Sequence, residues 1–396
     1  MTLLAETLPP AAAPPALRVE LFTGPHLPAG LLERCARLVG HGPFGNAAWW
    51  SAWWEHFRPA GSELFLLAVS RGTEWVGLAP WYAQTKFGLG RVLRFLGDGR
   101  ACTDYPSLIA LPELRPWVFQ AVGDWLAAEA GRSWDAGIFA GIASSDSEWQ
   151  QLADRLAQEP ILVDQAAIAN TWRLALPESW EAYVERFSKS HRNRLRRAQR
   201  ELFDSGRAVV RRVQNPADFA QSFALQRHLH QLRRNSIGDA GCYADPRFES
   251  FLRAANEQLL EQRMLRLMWT ELDGEPVAFD SGYAFQDTLY MYQTGFDPSK
   301  AEFSPGRLHF QASIMKAIEE GYRVFDFLRG DEPYKAHFRA NSAPVLETRL
   351  IGPRLRARLG HGYWKLQKRL KAQARRWREQ RGSSSQQPDR SEPPEA

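Results

Sequence analysis

The sequence predicts an α/β (α+β) protein of two successive units, each a mixed central sheet flanked by helices, with a basic amphipathic helix after the second. Two observations carry that reading. Strand-like and helix-like apolar periods interleave along the chain instead of segregating into blocks. The order hairpin, further strand, helix, strand also occurs twice, over 63–140 and over 265–328, which points to a duplicated α/β unit. The length is compatible: 396 residues, 44% apolar and 24% charged, suffice for two or three domains and a large core.

Residues 1–17 are rich in Pro and Ala, lack a basic n-region, and read as a disordered leader, not a signal peptide. The first unit spans 18–170. Helical periodicity covers 29–39. A second helix, 44–57, holds Trp49, Trp50, Trp53 and Trp54 among the chain's 15 Trp, so large aromatic cores or clefts are expected. Residues 63–82 form a hairpin turning at 71–73. Strands at 92–97 and 107–111 flank the polar loop GDGRACTDYP. A helix (115–129), a strand (134–140) and a helix (147–158) follow.

The second unit spans 171–353. It opens with a short strand, 171–176, and a long helix, 180–204, stopped by Gly206. A strand at 209–213 precedes two helices, 216–233 and 246–262, each with Asn or Asp just before its Pro. A hairpin at 265–285 turns at Asp273-Gly274, and a strand covers 288–296. Residues 354–381 form a terminal helix with an apolar stripe of Leu359, Tyr363, Leu366, Leu370, Ala374 and Trp377 and Lys/Arg on its other faces. Such a helix docks on its own body or lies on an anionic membrane surface. Residues 382–396 are Ser/Gln/Pro-rich and read as disordered.

Charge and cysteine content exclude several classes. Residues 354–396 carry twelve Lys/Arg against four Asp/Glu, so the formal +5 is a basic tail on a body of net −3. The overall charge therefore gives no argument for nucleic-acid binding. Cys35, Cys102 and Cys242 are far apart and form no CxxC, and the nine His show no HExxH, so no metal is expected. No stretch has the roughly 18 apolar residues a membrane span needs, which makes the cytoplasm the default compartment.

Three stretches carry candidate chemistry. The first is 304–335, SPGRLHFQASIMKAIEEGYRVFDFLRGDEPYK. Ser304 suits an N-cap, Pro305 the first helical position, and Gly306 close approach of a ligand to the backbone. The helix runs to Gly321, and a strand follows at 322–328. A small-residue helix start just after a strand suits an anion, because its N–H groups are free and its dipole end is positive. The second stretch is 189–200, KSHRNRLRRAQR. Arg192, Arg196 and Arg200 stack on one helical face, a repulsion that a phosphorylated ligand or polyanion would relieve, beside a plain solvated face softened by Glu185 and Glu201. The third is 277–284, where Asp280 shares a strand face with Ala278, Gly282 and Ala284. It is either a general base or the partner of an arginine. Asp326 alternates with Phe325 and Phe327 and so faces away from those aromatics, into a cleft. Asp331, Tyr334 and Lys335 lie in the turn beyond, where a Tyr or Lys protonates a leaving group or holds an anion.

FSKSHRNRLRRAQREL, the SPGRL helix start and FDFLRGDEPYKAHF, together with FGNAAWWSAWWEHF and FLGDGRACTDYPSLIA, resemble the GNAT-superfamily acyltransferases of the CelD-like (cellulose-biosynthesis-associated) group, relatives of the FemAB aminoacyltransferases. The resemblance covers 17–352. It implies two tandem GNAT-like folds, the second catalytic, and transfer from acyl-CoA (acetyl-CoA) to an amine on a small molecule or glycan. In the FemAB branch the donor is an aminoacyl-tRNA. Carried over, Ser304, Gly306 and Arg307 hold the cofactor pyrophosphate, and Arg192, Gly330, Tyr334 and Lys335 match recurrent positions. The single Gly306 stands where the superfamily usually has Gln/Arg-x-x-Gly-x-Gly/Ala.

The resulting expectation is an acyltransferase with Asp280 as base, Tyr334 as acid or oxyanion donor and Lys335 as anion holder. Ser304, Gly306 and Arg307 bind the donor phosphate, and Arg192, Arg196, Asp326 and Asp331 line the substrate side. A chain in the cytoplasm, peripheral at the inner membrane face through 354–381, fits this reading. The rivals are aminoacyl-tRNA-dependent transfer and a non-catalytic, membrane-associated scaffold for polysaccharide assembly.

Overall fold

The computed structural model describes residues 15–384, with side chains of the last helix through Lys371 and at Gln373 and Ala374. The leader over 1–14, the tail over 385–396 and the Trp377 side chain lie outside the described residues.

The first half runs β1 (Arg18–Gly24), α1 (Leu31–Cys35), α2 (Ala47–Phe57), β2 (Glu63–Arg71), β3 (Glu74–Lys86), β4 (Gly90–Phe95), β5 (Ile109–Ala110), α3 (Arg115–Glu129), β6 (Ala136–Ala143) and α4 (Ser147–Leu156). Strand β7 (Leu162–Ala175) then leads into α5 (Trp180–Val184), α6 (Lys189–Ala198), β8 (Ala208–Arg212), α7 (Pro216–Asn235), α8 (Pro246–Glu261), β9 (Leu265–Leu272), β10 (Glu275–Phe285) and β11 (Thr288–Phe296). The chain closes with α9 (Pro305–Glu319), β12 (Val324–Arg329), α10 (Tyr334–His337), β13 (Asn341–Ile351) and α11 (Leu355–Ser384).

The strands form one mixed sheet ordered β1-β2-β3-β4-β6-β13-β7-β12-β11-β10-β9-β8, with β5 on β3. The duplication is visible in it. In the first half a hairpin, β4, α3 and β6 end in a parallel β4/β6 pair. In the second half a hairpin, β11, α9 and β12 end in a parallel β11/β12 pair. The two halves are joined by β13, which pairs with β6 on one side and β7 on the other.

The sequence reading contains neither β1 nor β13 and only the last part of β7. Strand β13 is masked by Pro344, Glu347 and Arg349. Pro344 is tolerated because it precedes the stretch paired with β6, so its missing N–H breaks no ladder there. Arg349 Nε donates to Glu347 at 2.7 Å, which neutralises the charges within the strand. The helix expected over 29–39 ends at Cys35, because Val39 is drawn into a bridge with Ala110, its N–H donating at 3.0 Å.

The helix expected over 180–204 is broken. Phe187 is buried against Tyr183, with ring centroids 5.2 Å apart, and Ser188 is extended (φ −62°, ψ 155°) before α6 starts. Burying Phe187 outweighs the lost helical bonds, since a buried aromatic contributes about 1.5–3 kcal/mol.

Helix α2 explains the tryptophan content. All four of its Trp are buried. Asn46 caps it, its side chain accepting from the Ala48 N–H. Trp49 packs edge-on against Phe251 of α8 (4.8 Å) and Tyr292 of β11 (5.1 Å), so a first-half helix shares its core with the second half.

Candidate functional site

Helix α9 begins after a left-handed residue, Ser304 (φ 50°, ψ 58°), with Pro305 at its first position. The Ser304 carbonyl accepts from the Arg307 and Leu308 N–H groups, at 2.9 and 3.1 Å. Pro305 has no N–H. Among the described residues, the Gly306 N–H is left with no acceptor.

Ser304, Arg307, Leu308 and Gln311 form one wall of a pocket of about 280 Å³. The opposite wall is α6, through His191, Arg194, Leu195 and Ala198, and the end is closed by Tyr334, His337 and Phe338 around α10. Gln311 Nε2 ties the walls together by donating to the Leu195 carbonyl at 3.1 Å. Tyr334 is held by stacking on Phe310 at 5.3 Å, and burial pushes its phenol above the usual range.

This pocket is positive. Burial, then the Arg307 and Arg194 guanidiniums, hold His191 below its usual pKa, so it stays neutral among cations. Among the described residues, neither Arg194 nor Arg307 has a carboxylate within 4.0 Å, and no acidic side chain lines the pocket.

The structure therefore brings Ser304, Arg307 and Tyr334 together, but it moves other expected residues elsewhere. Arg192 and Arg196 both pair with Glu185, at 3.3 and 2.6 Å. The break before α6 brings that carboxylate back against them, and the pocket face of α6 is 191, 194, 195 and 198. Gly306 does lie at the helix start, but a Cβ there would meet the Phe296 ring at 3.2 Å, so close packing and not ligand approach accounts for the glycine.

Asp280 does not reach the pocket. It is 3% exposed and faces the sheet side of α9, where it accepts from Ser313 and lies 3.0 Å from His309 Nε2. Thr270 completes this buried cluster, 2.8 Å from His309 Nδ1. The partners of Asp280 are therefore His309 and Ser313, not an arginine. Lys335 is 2% exposed. Its ammonium donates to the Arg329 and Gly330 carbonyls at 3.0 Å each and pairs with Glu332 at 2.9 Å, so it closes the end of β12 and holds no anion from outside. Asp331 sits in an exposed turn, accepting from Asn170 and from the Trp172 indole, each at 3.1 Å.

Asp326 lies on the other face of β12. Phe325 and Phe327 pack with α9 and α10, so strand alternation sends Asp326 the opposite way. There it is fully buried and accepts from Tyr105 Oη at 2.9 Å and from the Leu328 N–H at 2.8 Å, with Arg173 Nε at 3.3 Å. Burial pushes its carboxyl up to about 6. The Leu328 bond holds that residue at φ 56°, a conformation that costs a non-glycine residue roughly 1–2 kcal/mol. Tyr105, Arg173, His41, Thr171 and Tyr290 line a second, smaller cavity of about 90 Å³ at the junction of the halves.

The parallel ladder between β11 and β12 covers only Thr288 to Tyr290 against Val324 to Asp326, although both strands continue. The strands part beyond Tyr290, which lines the smaller cavity. His191 and His337 escaped the sequence reading, in which Arg194 is one charge of the basic stretch 189–200; Tyr105 and Arg173 escaped it as well. The first three follow helical spacing from Leu195 and Tyr334, whereas nothing local marks the last two.

No curated protein sequence matches this chain. Among solved structures, FemX superposes with a TM-score of 0.55 at 10% identity, covering 82% of this chain and 96% of that one. A conserved protein of unknown function from Bacteroides thetaiotaomicron VPI-5482 gives a TM-score of 0.51 at 9% identity, covering 84% of this chain and 100% of that one. Residues 189–336 match the acetyltransferase (GNAT) domain family, and the chain has the GNAT/FemAB-like fold.

Proposed function

We propose that this chain is a CelD-like N-acyltransferase that seats the phosphates of an acyl-CoA in the pocket between α6 and the start of α9. The observation that carries the reading is the pair Arg194 and Arg307, two cations in one pocket without a carboxylate between them. Uncompensated like charges at a helix N-terminus are relieved by a bound anion. The donor set fits diphosphate chemistry: two guanidiniums, with His191 and His337 at the rim.

The amine acceptor enters from the opposite face of β12, through the cavity at Tyr105 and Arg173. Its nitrogen attacks the thioester carbonyl, a C–N bond forms, the C–S bond breaks, and the thiol leaves. Asp326 takes the amine proton by way of the Tyr105 hydroxyl; a carboxyl near 6 suits a base working at neutral pH. Tyr334 donates toward the thioester side.

A second reading replaces acyl-CoA by aminoacyl-tRNA. The exposed Lys189 and Arg194 on α6, and Arg200 just beyond its end, favour it. Against it, Glu185 and Glu201 already neutralise Arg192, Arg196 and Arg197.

Thermal-shift titration with coenzyme A and acetyl-CoA, set beside aminoacyl-tRNA, tests the proposal, because a ligand of the folded state raises the melting temperature. A salt-sensitive rise with acyl-CoA, abolished in Arg194→Glu/Arg307→Glu, is expected. No rise with acyl-CoA, or a rise that the double variant keeps, overturns it.

A further inference from the structure

Helix α11 is docked by the face opposite its apolar stripe. Ala357 and His361 are buried against the body. His361 Nε2 lies 3.1 Å from Asp164, and the Arg349 guanidinium stacks over the Trp364 ring at 3.4 Å. The helix is gripped along both flanks of this face: Arg358 donates to the Pro160 carbonyl at 3.0 Å, and Arg354 pairs with Asp135 at 3.1 Å. The helix therefore cannot roll to hide its other side without losing these bonds.

That other side is the stripe itself. Leu355, Leu359, Tyr363, Leu366 and Leu370 follow one another at three- and four-residue steps, so they share one helical face. All five are more than half exposed; Leu355 reaches 71% and Leu366 54%. They account for half of the ten large apolar side chains exposed among the described residues. The sequence reading leaves the stripe to dock on the body or on a membrane; the structure docks the helix through Ala357, His361 and Trp364 instead and leaves the leucines exposed among the described residues.

The charges beside the stripe say what covers it. Arg356, Arg358, Lys368, Arg369 and Lys371 are exposed, and among the described residues none has a carboxylate within 4.0 Å. From residue 354 to residue 378 the sequence holds ten Lys/Arg and no Asp or Glu. A second copy packed stripe to stripe would set these cations against one another with no acid to separate them. An anionic surface matches both features at once: the leucines enter the acyl boundary and the cations meet the phosphates. No helix among the described residues is long and apolar enough to cross a membrane.

We propose that α11 is a preformed membrane-docking element, which lays Leu355, Leu359, Tyr363, Leu366 and Leu370 into the interface of a bilayer rich in anionic lipid while its Ala357/His361/Trp364 face stays on the protein. The inference stands apart from the acyltransferase reading, since it uses none of the pocket residues.

The test is co-sedimentation of the full chain with vesicles of phosphatidylcholine alone and of phosphatidylcholine with 30% phosphatidylglycerol, at low and high salt, with size-exclusion measurement of the free protein. We expect binding to the anionic vesicles, weakened at least tenfold by Leu359→Glu/Leu366→Glu and made indifferent to lipid charge by Arg369→Glu/Lys371→Glu. The altered side chains are exposed, so both variants melt as the unaltered chain does. Failure to bind anionic vesicles overturns the proposal, as does equal binding to neutral ones. A dimer in solution that Leu359→Glu/Leu366→Glu dissolves overturns it in favour of a second copy.

Discussion

Tyr105, from the first half of the chain, donates its phenolic hydrogen to Asp326 of the second at 2.9 Å, and the carboxylate it meets has no solvent exposure. Burial raises this carboxyl from 3.8 to about 6. As pH rises, the unfolded chain gives up the Asp326 proton before the folded one does. Asp326 therefore subtracts stability between about pH 4 and pH 6, roughly 3 kcal/mol once both states are ionised. Asp326→Asn removes that slope. In melts from pH 4 to 7, the variant is expected to gain on the unaltered chain as pH rises. A constant difference across the range would refute the assignment.

Arg194 and Arg307 are predicted to act on donor binding and little else. Neither makes an ion pair among the described residues, so their loss leaves no buried charge behind. Each substitution to Ala should raise the donor KM at least tenfold, about 1.4 kcal/mol, with the melting temperature nearly unchanged. Arg192→Ala is the control. Its partner is Glu185, and donor KM should stay within about twofold.

Asp280→Ala should lower stability and spare chemistry. The change strips His309 and Ser313 of their acceptor in a sealed cluster, at a cost of about 2–4 kcal/mol. Thermal melts report the loss, and turnover per folded molecule, measured well below the new midpoint, should be retained. A folded Asp280→Ala protein without turnover would return Asp280 to the catalytic set.

Lys335→Met should behave likewise through a different loss. The Arg329 and Gly330 carbonyls lose their donor where the chain leaves β12. The expected cost is about 1–3 kcal/mol, read as a lowered unfolding midpoint in denaturant.

Much of this fold was legible because its signals are local. The limits of α3 and β11 follow from periodicity, and the duplicated order of hairpin, strand, helix and strand from their sequence. Ser304-Pro305 announced the start of α9, and with it one wall of the pocket. Strand β13 was hidden because its charges cancel inside the strand, as Arg349 on Glu347 shows.

The sequence by itself determined where cations and carboxylates occur and which element carries each. Only the tertiary structure decided which of them remain unpaired. Glu185 reaches Arg192 and Arg196 because burial of Phe187 breaks the helix between them, while Arg194 and Arg307 come from separate helices and share a pocket no acid enters. Partnership between charges is a matter of through-space distance, and a one-dimensional pattern contains distance only within a helix turn or a strand pair.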